Sequence, residues 1–326
     1  VSGVKKKIIE LLNASRKKII SIDVPSGVNG DSGEILSIAI NANFTIAMGF
    51  YKPAHFLLPS KKYCGKLNLV DLKLEIPKKC LPKINLINKS YFKNHFPKFD
   101  IDINKYDRGH VLVIGGEMSG ASRIVAVASR KIGCGLSTIA VPEKYLKFYN
   151  GTEPGTILTR FKFDVFKNKS VLVVGPGLGK TFDRNLLLKI LNSFSGPIII
   201  DADAISIFEK NKRAFYNCIK NKKDVIITPH LGEFKRVFDF SSANKIFNSI
   251  NASKKINNSV IFKGNDTILA FPDNEVWLCN NSSNSLATAG TGDALCGIIA
   301  GLLAQNMKFK QAIVAGLWVH GQLSLN

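Results

Sequence analysis

Cysteine pairs, histidine metal motifs and long apolar runs are all missing from this sequence of 326 residues. The six cysteines lie far apart and form no CxxC pair, which favours buried thiols in a reducing compartment over a disulfide framework. The five histidines form no HxH or HExxH arrangement, so we do not expect a structural zinc site. No apolar run reaches the ~20 residues that span a bilayer, and no leader with a cleavage site opens the chain. We therefore expect a cytoplasmic protein without a membrane partner.

Acidic residues are also scarce, with 24 Asp and Glu against 45 Lys and Arg and a formal net charge of +21. Such a charge can indicate a nucleic-acid partner, because clustered cations supply most of the sequence-independent affinity for phosphate. Here the cations are mostly lysines in short pairs, without interleaved aromatic residues. We interpret them as solvated surface and expect no nucleic-acid partner, although they can attract anionic nucleotides weakly.

The length predicts one large α/β domain and a smaller unit, since single cores rarely grow beyond ~250–300 residues. Residues 1–76 show βα-type alternation that is too short for a complete doubly wound sheet. Residues 77–105 contain three prolines in a stretch rich in Lys and Asn, so we interpret them as a linker. Residues 106–326 repeat strand–turn–helix units whose continuously apolar strands indicate a sheet that is covered on both faces. The predicted fold class is α/β, a mostly parallel doubly wound sheet with helices on both faces, preceded by a partial Rossmann-like α/β segment.

The most informative segment is SLATAGTGDALCGIIAGLLA, residues 285–304. Its apolar spacing predicts a helix that begins near Thr291 and has one apolar face. Gly290 and Gly292 let the backbone approach a ligand, and free amides at a helix start favour an anion such as phosphate. Asp293 lies in the first turn, where a carboxylate could accept the proton of a hydroxyl group that is being phosphorylated. For an isolated G-x-G-D, a simple helix cap is an equally good interpretation of Asp293.

Several further motifs narrow the interpretation of this glycine turn. GHVLVIGG, VLVVGPGLG, PIIIDADA, TPHLGEF and FKGNDT precede NSLATAGTGD in this order between residues 109 and 293. Together they resemble the ADP/ATP-dependent NAD(P)H-hydrate dehydratases, a repair family with a ribokinase-like fold. The resemblance implies that fold for residues 106–326.

The resemblance also implies a set of site residues. Asp293 is the implied catalytic base. The implied substrate-binding residues are Ala121, Gly177, His230, Gly232, Glu233, Arg236, Asp293 and, in the N-terminal segment, Asp23. The implied nucleotide-binding residues are Lys263, Gly264, Asn265, Asp266, Thr267, Asn284, Ala287, Thr288, Ala289, Gly290, Thr291 and Gly292. Taken by themselves, a lysine in a turn and a histidine after a strand could equally be ordinary structural residues.

The implied reaction is the ADP- or ATP-dependent dehydration of the S form of hydrated NADH or NADPH back to NADH or NADPH. Phosphorylation of the hydroxyl group on the damaged nicotinamide ring would create a good leaving group, which the ring nitrogen would then expel. The amides of Gly290 and Gly292 would stabilise the charge on the phosphoryl group. We expect Mg²⁺ from this chemistry and a homo-oligomer as the assembly, and the choice between ADP and ATP stays open.

The segment ISIDVPSGVNGDSGE, residues 20–34, resembles the second half of NAD(P)H-hydrate epimerase domains, which interconvert the R and S hydrates. The resemblance implies that Asp23 contacts the hydrated dinucleotide and that Ser26 helps to bind K⁺, although an ordinary strand-to-turn sequence would look alike. The family's Asn- and Gly-rich loop and its second potassium-binding acid are absent from this chain. Residue 1 is Val in a helix that is already under way. We therefore expect that the first half of this domain is missing and that the chain does not epimerise.

Two other functions are compatible with the same motifs. A ribokinase-like kinase of a vitamin or another small alcohol would release a phosphorylated product instead of eliminating phosphate. A decayed paralogue would bind adenine nucleotide without catalysis, as a regulator or scaffold.

Overall fold

The computed structural model of the protein describes residues 1–75, 84–151 and 153–325. The chain folds into two compact units. Residues 1–85 and 240–248 form the first unit, and residues 86–239 and 249–326 form the second.

In the first unit, residues 1–75 contain one α-helix and a small parallel sheet. Its elements are α1 (Gly3–Ala14), β1 (Ile20–Ile22), β2 (Phe44–Met48) and β3 (Lys66–Val70). The strands pair in the order β1-β2-β3, all parallel. Ile9 of α1 packs with Ile40 and Ala42 in a small buried cluster. The connections between the strands are loops and short 3₁₀ turns, so the predicted alternation of strands and helices is present only at α1 and β1.

A second sheet of ten strands dominates the described residues. Its strands are β4 (Ile84–Leu86), β5 (His110–Ile114), β6 (Leu136–Val141), β7 (Thr156–Arg160), β8 (Val171–Val174), β9 (Ile198–Ile200), β10 (Val225–Ile227), β11 (Ser259–Phe262), β12 (Ile268–Ala270) and β13 (Val276–Leu278). They follow the order β4-β13-β12-β11-β10-β9-β8-β5-β6-β7. The seven strands from β11 to β7 are parallel, and β12 pairs antiparallel with both β11 and β13.

Helices cover this sheet. They are α2 (Ser119–Lys131), α3 (Arg184–Ser193), α4 (Asp203–Ser206), α5 (Lys212–Lys220), α6 (Leu231–Val237), α7 (Lys245–Ile256), α8 (Thr291–Ala304) and α9 (Phe309–Leu323). Helices α2, α8 and α9 pack together, as do α3 with α5 and α4 with α6. Strands β8 to β11 are fully buried along their length, which is why their sequences are apolar without alternation. The predicted fold class is confirmed.

Helix α8 begins at Thr291, as predicted, but it is not amphipathic in the predicted sense. All ten residues from Leu295 to Ala304 are buried, including the small residues opposite the apolar stripe. A side chain at Gly297 would start 2.5 Å from the carbonyl oxygen of Val125, so the backbone of α2 lies directly against this face. The prediction of a single apolar face was wrong because glycine and alanine here form a second, close-packed face.

The predicted linker is only partly described. Residues 77–83 lie outside the described residues, and so does Cys80. The remaining part contains strand β4 and short 3₁₀ turns at Lys89–Tyr91 and Lys93–His95. The five described cysteines are all free thiols. Within the described ranges, every helix is too short or too polar to cross a lipid bilayer.

Candidate active site

The carboxyl ends of neighbouring parallel strands bring the predicted motifs together at one edge of the large sheet. Gly115 follows β5, Gly175 follows β8, Asp201 follows β9 and Lys263 follows β11. The strands β5 to β7 extend the sheet in one direction and β8 to β11 extend it in the other, so the direction reverses between β5 and β8. Open α/β sheets bind ligands beside such a reversal, outside the carboxyl ends of the strands. The strand order thus explains why motifs that are far apart in the sequence lie at one edge.

Helix α8 starts at this edge with the predicted glycine turn. Gly290 has a φ of +90°, in the left-handed region, and no side chain caps the helix at this position. The Thr291 hydroxyl donates to the carbonyl oxygen of Leu286 at 2.9 Å and holds the turn. The amides of Thr291, Gly292 and Asp293 donate to no other described residue. Three donors and the positive end of the helix dipole are therefore available to an anion.

The Asp293 carboxyl lies in the first turn of α8, next to these amides. Burial raises its pKa to about 6. The negative charges of Asp201 and Asp203 contribute to this rise, and the ammonium of Lys263 opposes it. A carboxyl with this pKa is mostly ionised at neutral pH and still basic enough to accept a proton. This electrostatic environment supports the predicted role of Asp293 as a base more than that of a solvated helix cap.

Lys263 and Asp201 form a buried ion pair beside the glycine turn. The Lys263 Nζ lies 2.6 Å from Asp201 Oδ1, and the Asp201 side chain is only 2% exposed. Burial lowers the pKa of Lys263, but the charge and hydrogen bond of Asp201 together with the charge of Glu233 outweigh it, so the pKa lies above its usual range and the ammonium stays charged. A side chain at Gly292 would start 3.1 Å from Lys263 Nζ. Glycine at this position therefore lets the cation lie directly against the start of α8.

The second oxygen of the Asp201 carboxylate contacts a buried thiol. Cys296 Sγ lies 3.4 Å from Asp201 Oδ2. Burial and the Asp201 charge raise the pKa of Cys296 well above its usual value, so it remains a thiol that can donate. Both oxygens of Asp201 are therefore occupied, and this side chain is a partner of Lys263 rather than a free ligand.

The segment TPHLGEF forms the start of helix α6. The His230 Nδ1 accepts from the amides of Gly232 and Glu233, and Glu233 Oε2 accepts from the amide of His230 at 2.9 Å. Burial raises the pKa of Glu233 to about 7, with the Asp201 charge acting in the same direction. Burial and the Lys263 charge lower the pKa of His230, which leaves a neutral, half-exposed imidazole. Arg236 lies one turn later and donates to Ser206 Oγ at 2.8 Å.

A cavity of about 200 Å³ lies on the other side of Lys263. It is lined by the predicted nucleotide residues Lys263, Gly264, Asn265, Thr267, Ala287, Thr291 and Gly292. Leu286, Leu295 and Leu317 give the same cavity an apolar wall, which suits a flat aromatic ring. Five predicted nucleotide residues do not line it: Asp266, Asn284, Thr288, Ala289 and Gly290. Of these, Asn284 contacts Asn265 at 3.4 Å.

Ala121 and Gly177 lie close together. Gly177 has a φ of +72°, and a side chain there would start 2.1 Å from the carbonyl oxygen of Met118 and 3.2 Å from Ala121 Cβ. A side chain at Gly290 would start 2.8 Å from Ile124, one turn after Ala121 in α2. Close packing therefore requires glycine at these positions whether or not a ligand is bound, and the binding role of Ala121 and Gly177 stays a prediction.

Comparison with known proteins identifies the family. Residues 111–326 match the family model described as NAD(P)H-hydrate dehydratase. The chain belongs to the NAD(P)H-hydrate dehydratase family. Residues 1–54 match the model of the YjeF-related protein N-terminus, which agrees with the second predicted resemblance.

Similar proteins match nearly the whole chain. The bifunctional NAD(P)H-hydrate repair enzyme of Dictyoglomus turgidum is 31% identical over an alignment of 346 positions, which covers 98% of this chain and 66% of that protein. The enzyme of the same description from Coxiella burnetii is 31% identical over 331 residues, covering 96% of this chain and 65% of that protein. The chain thus spans slightly less than two thirds of the length of these relatives.

Solved structures of similar proteins have the same fold. A ribokinase-like superfamily protein of Enterococcus faecalis superposes with a TM-score of 0.64 at 25% identity, covering 77% of this chain and 89% of that one. The ADP/ATP-dependent NAD(P)H-hydrate dehydratase of Bacillus subtilis, co-crystallised with ATP and Mg²⁺, superposes with a TM-score of 0.61 at 25% identity. That match covers 73% of this chain and 87% of the Bacillus protein.

The N-terminal unit of this dehydratase-family chain contains its own cluster of polar groups. Asp23 has a φ of +66°, and its carboxylate accepts from the Lys52 ammonium and from the Met48 amide. Burial raises the pKa of Asp23, but these donors lower it more, so the carboxylate stays ionised. His55 Nε2 donates to the Asp23 carbonyl oxygen at 2.7 Å. Ser26 is exposed, and its carbonyl oxygen already accepts from the amide of Ile40.

Sequence reasoning missed four side chains of these sites. Cys296 was interpreted only as a buried thiol, and Lys52 and His55 were not assigned any role. His320 in α9 lines the nucleotide cavity and donates to the Thr291 carbonyl oxygen at 2.9 Å, which braces the glycine turn. No local motif surrounds His320, so only the packing of α9 against α8 shows that it belongs to this site.

Proposed function

We propose that this chain catalyses the ADP- or ATP-dependent dehydration of hydrated NADH and NADPH. The observation that carries the proposal is the arrangement at the start of α8. A partly buried carboxyl with a raised pKa lies beside three free amides, and a buried ammonium lies against the same turn. These groups supply a base, an anion site and a cation, which phosphoryl transfer requires. Membership of the dehydratase family supports the substrate class.

In the first step, Asp293 accepts the proton of the hydroxyl group on the hydrated nicotinamide ring. The freed oxygen attacks the terminal phosphorus of ATP or ADP, so a carbon–oxygen–phosphorus bridge forms and the bond between that phosphorus and the bridging oxygen of the nucleotide breaks, which releases ADP or AMP. The amides of Gly292 and Asp293 hold the charge that develops on the transferred group. Lys263, held in place by Asp201, adds a fixed positive charge on the same side.

In the second step, the ring carbon–oxygen bond breaks and inorganic phosphate leaves with the bonding electrons. The lone pair of the ring nitrogen stabilises the cation that results, and loss of a proton from the neighbouring carbon restores the double bond. The net reaction removes water from the dinucleotide and one phosphate from the nucleotide. Phosphorylation turns a poor leaving group into a good one, which explains why a fold that transfers phosphoryl groups serves a dehydration.

The donor set also fits a magnesium ion that arrives with the nucleotide. Mg²⁺ keeps several waters and commonly uses one or two carboxylates together with substrate phosphates. The described part of the chain has no ready-made group of three or more metal-ligating side chains, in agreement with this mode. Asp203, whose charge reaches Asp293, is the carboxylate that we propose for such an ion. It would add positive charge next to the transferred phosphoryl group.

Finer assignments are proposals of the same kind. The roles of Asp23 in dinucleotide contact and of Ser26 in K⁺ binding stay predictions for the N-terminal unit. The homo-oligomeric assembly also stays a prediction.

The direct test incubates the protein with hydrated NADH and either ADP or ATP and follows the absorbance of the reduced nicotinamide. We expect recovery of this absorbance with at least one nucleotide, and its loss in an Asp293→Asn variant. Asp239→Asn is the matched control, because Asp239 is an exposed acid that pairs with surface Lys255. Absence of recovery from folded wild-type protein with both nucleotides would refute the proposal.

A further inference from the structure

A second cavity, of about 330 Å³, opens beside Arg236 of α6, and of its lining residues the mechanism above uses only Asp203. Four cationic side chains line it: Lys180, Arg184, Lys210 and Arg236. Arg236 pairs weakly with Glu209, at 3.9 Å. The other three cations form no ion pair with any residue in the described ranges.

The acids of this cavity do not balance its cations. Only Asp203 and Glu209 line it, against four positive groups. Asp203 Oδ2 already accepts from the amide of Gly179 at 2.9 Å. Four positive groups against two negative ones leave an excess of positive charge, and an anion bound between the cations lowers their mutual repulsion. The cavity therefore has the charge and the size to hold a phosphate group.

The position of the cavity connects it to the dinucleotide rather than to ATP or ADP. It shares no lining residue with the cavity next to Lys263. The charge of Arg236 lowers the pKa of both His230 and Glu233, which belong to the predicted substrate segment. The charge of Asp203 raises the pKa of Asp293. The cavity thus lies on the substrate side of the proposed base.

We propose that this cavity binds a phosphate group of the dinucleotide substrate. The inference rests on the proposed function for the identity of that substrate. Guanidinium and ammonium groups hold phosphate through charge-assisted hydrogen bonds, and arginine can do so with two donors at once. Two phosphates have this chemistry, the bridging diphosphate of both hydrated cofactors and the 2′-phosphate that only the NADPH form carries.

The kinetic test compares Arg184→Ala with Lys189→Ala. Both residues lie on α3, but Lys189 is exposed and does not line the cavity. We expect kcat/KM of Arg184→Ala to fall roughly tenfold through KM, with kcat kept, since a bound charge is lost equally from ground and transition states. Lys189→Ala should match the wild type. A double variant, Arg184→Ala with Lys210→Ala, should show a larger loss.

A comparison of hydrated NADH with hydrated NADPH shows which of the two phosphates the cavity binds. A loss with hydrated NADPH alone assigns the cavity to the 2′-phosphate, and an equal loss with both hydrates assigns it to the diphosphate. Either result supports the proposal. Unchanged KM for both hydrates in the double variant would overturn it, provided that its thermal unfolding matches that of the wild type.

A binding measurement keeps the test independent of turnover. Calorimetric titration of NADP⁺ and NAD⁺ into the wild type and the double variant, with ADP present, needs no chemistry. Weaker binding of NADP⁺ by the double variant, with a steeper salt dependence in the wild type, supports the cavity even if dehydration is not observed. Equal affinities in both proteins would refute the cavity while leaving the proposed reaction untouched.

Discussion

Lowering the pH from 7 to 5 should remove most of the dehydratase activity, because Asp293 loses its negative charge in this interval. Burial and the charge of Asp201 raise the pKa of Asp293 to about 6. The carboxyl is then about nine-tenths ionised at pH 7 and about one-tenth ionised at pH 5, so kcat/KM should fall roughly tenfold. A carboxyl with the ordinary pKa of 3.8 would still be about nine-tenths ionised at pH 5.

The assay is kcat/KM for the hydrated dinucleotide at saturating nucleotide and constant ionic strength, since this parameter reports groups of the free enzyme. Glu233 also titrates in this range, with a pKa raised to about 7. The fall of kcat/KM toward low pH, here called the acid limb, should stay near pH 6 in a Glu233→Gln variant, because the account assigns it to Asp293. An Asp201→Asn variant should move the limb to lower pH even if its turnover is reduced, because the charge that raises the pKa of Asp293 is gone.

A flat profile between pH 7 and 5 in the wild type would contradict the assignment of Asp293 as the base. A limb that disappears in Glu233→Gln would transfer the role to Glu233. A limb that stays in place in Asp201→Asn would show that the buried ion pair does not tune the site.

Three more perturbations have directions that the structure determines. In chemical denaturation, Gly175→Ala should lower the free energy of unfolding by several kcal/mol, because the new Cβ would start 1.7 Å from the carbonyl oxygen of Asp201. Gly120→Ala is the control. It has open space around it and should be neutral or stabilising by about 1 kcal/mol. Glu233→Gln should stabilise the protein at pH 8 more than at pH 5, since a raised carboxyl pKa contributes stability below about pH 4.5 that is lost as the pH rises through about 7; equal shifts in Tm at both pH values would contradict this. Cys296→Ala should weaken nucleotide binding by freeing one oxygen of the Lys263 partner, and Cys296→Ser should restore it because a hydroxyl can donate there; failure of the serine variant to rescue would show that the thiol only fills space.

Local patterns in the sequence were sufficient for the parts of the fold that depend on neighbouring residues. The continuous apolar runs of β8 to β11 predicted buried parallel strands, and the glycine turn predicted the start of α8 at Thr291. The motif order predicted the family, which residues 111–326 confirm. These features depend on backbone geometry and burial within short segments, and both are encoded in residue type.

Contacts between distant segments could not be predicted in this way. Asp201 and Lys263 are 62 residues apart, and Cys296 is 95 residues from Asp201. Only the parallel order of β9, β10 and β11 and the placement of α8 bring them together. The burial of both faces of α8 has the same origin, because it depends on how closely α2 approaches Gly297. No periodicity within one helix contains that information.

The most direct test of the account is the stoichiometry of products from hydrated NADH and the preferred nucleotide, measured by mass spectrometry and phosphate assay. We predict one NADH and one inorganic phosphate for each nucleotide consumed, and neither product from Asp293→Asn. Accumulation of a stable phosphorylated dinucleotide, or unchanged turnover in Asp293→Asn, would contradict the proposal that this carboxyl drives phosphorylation for elimination.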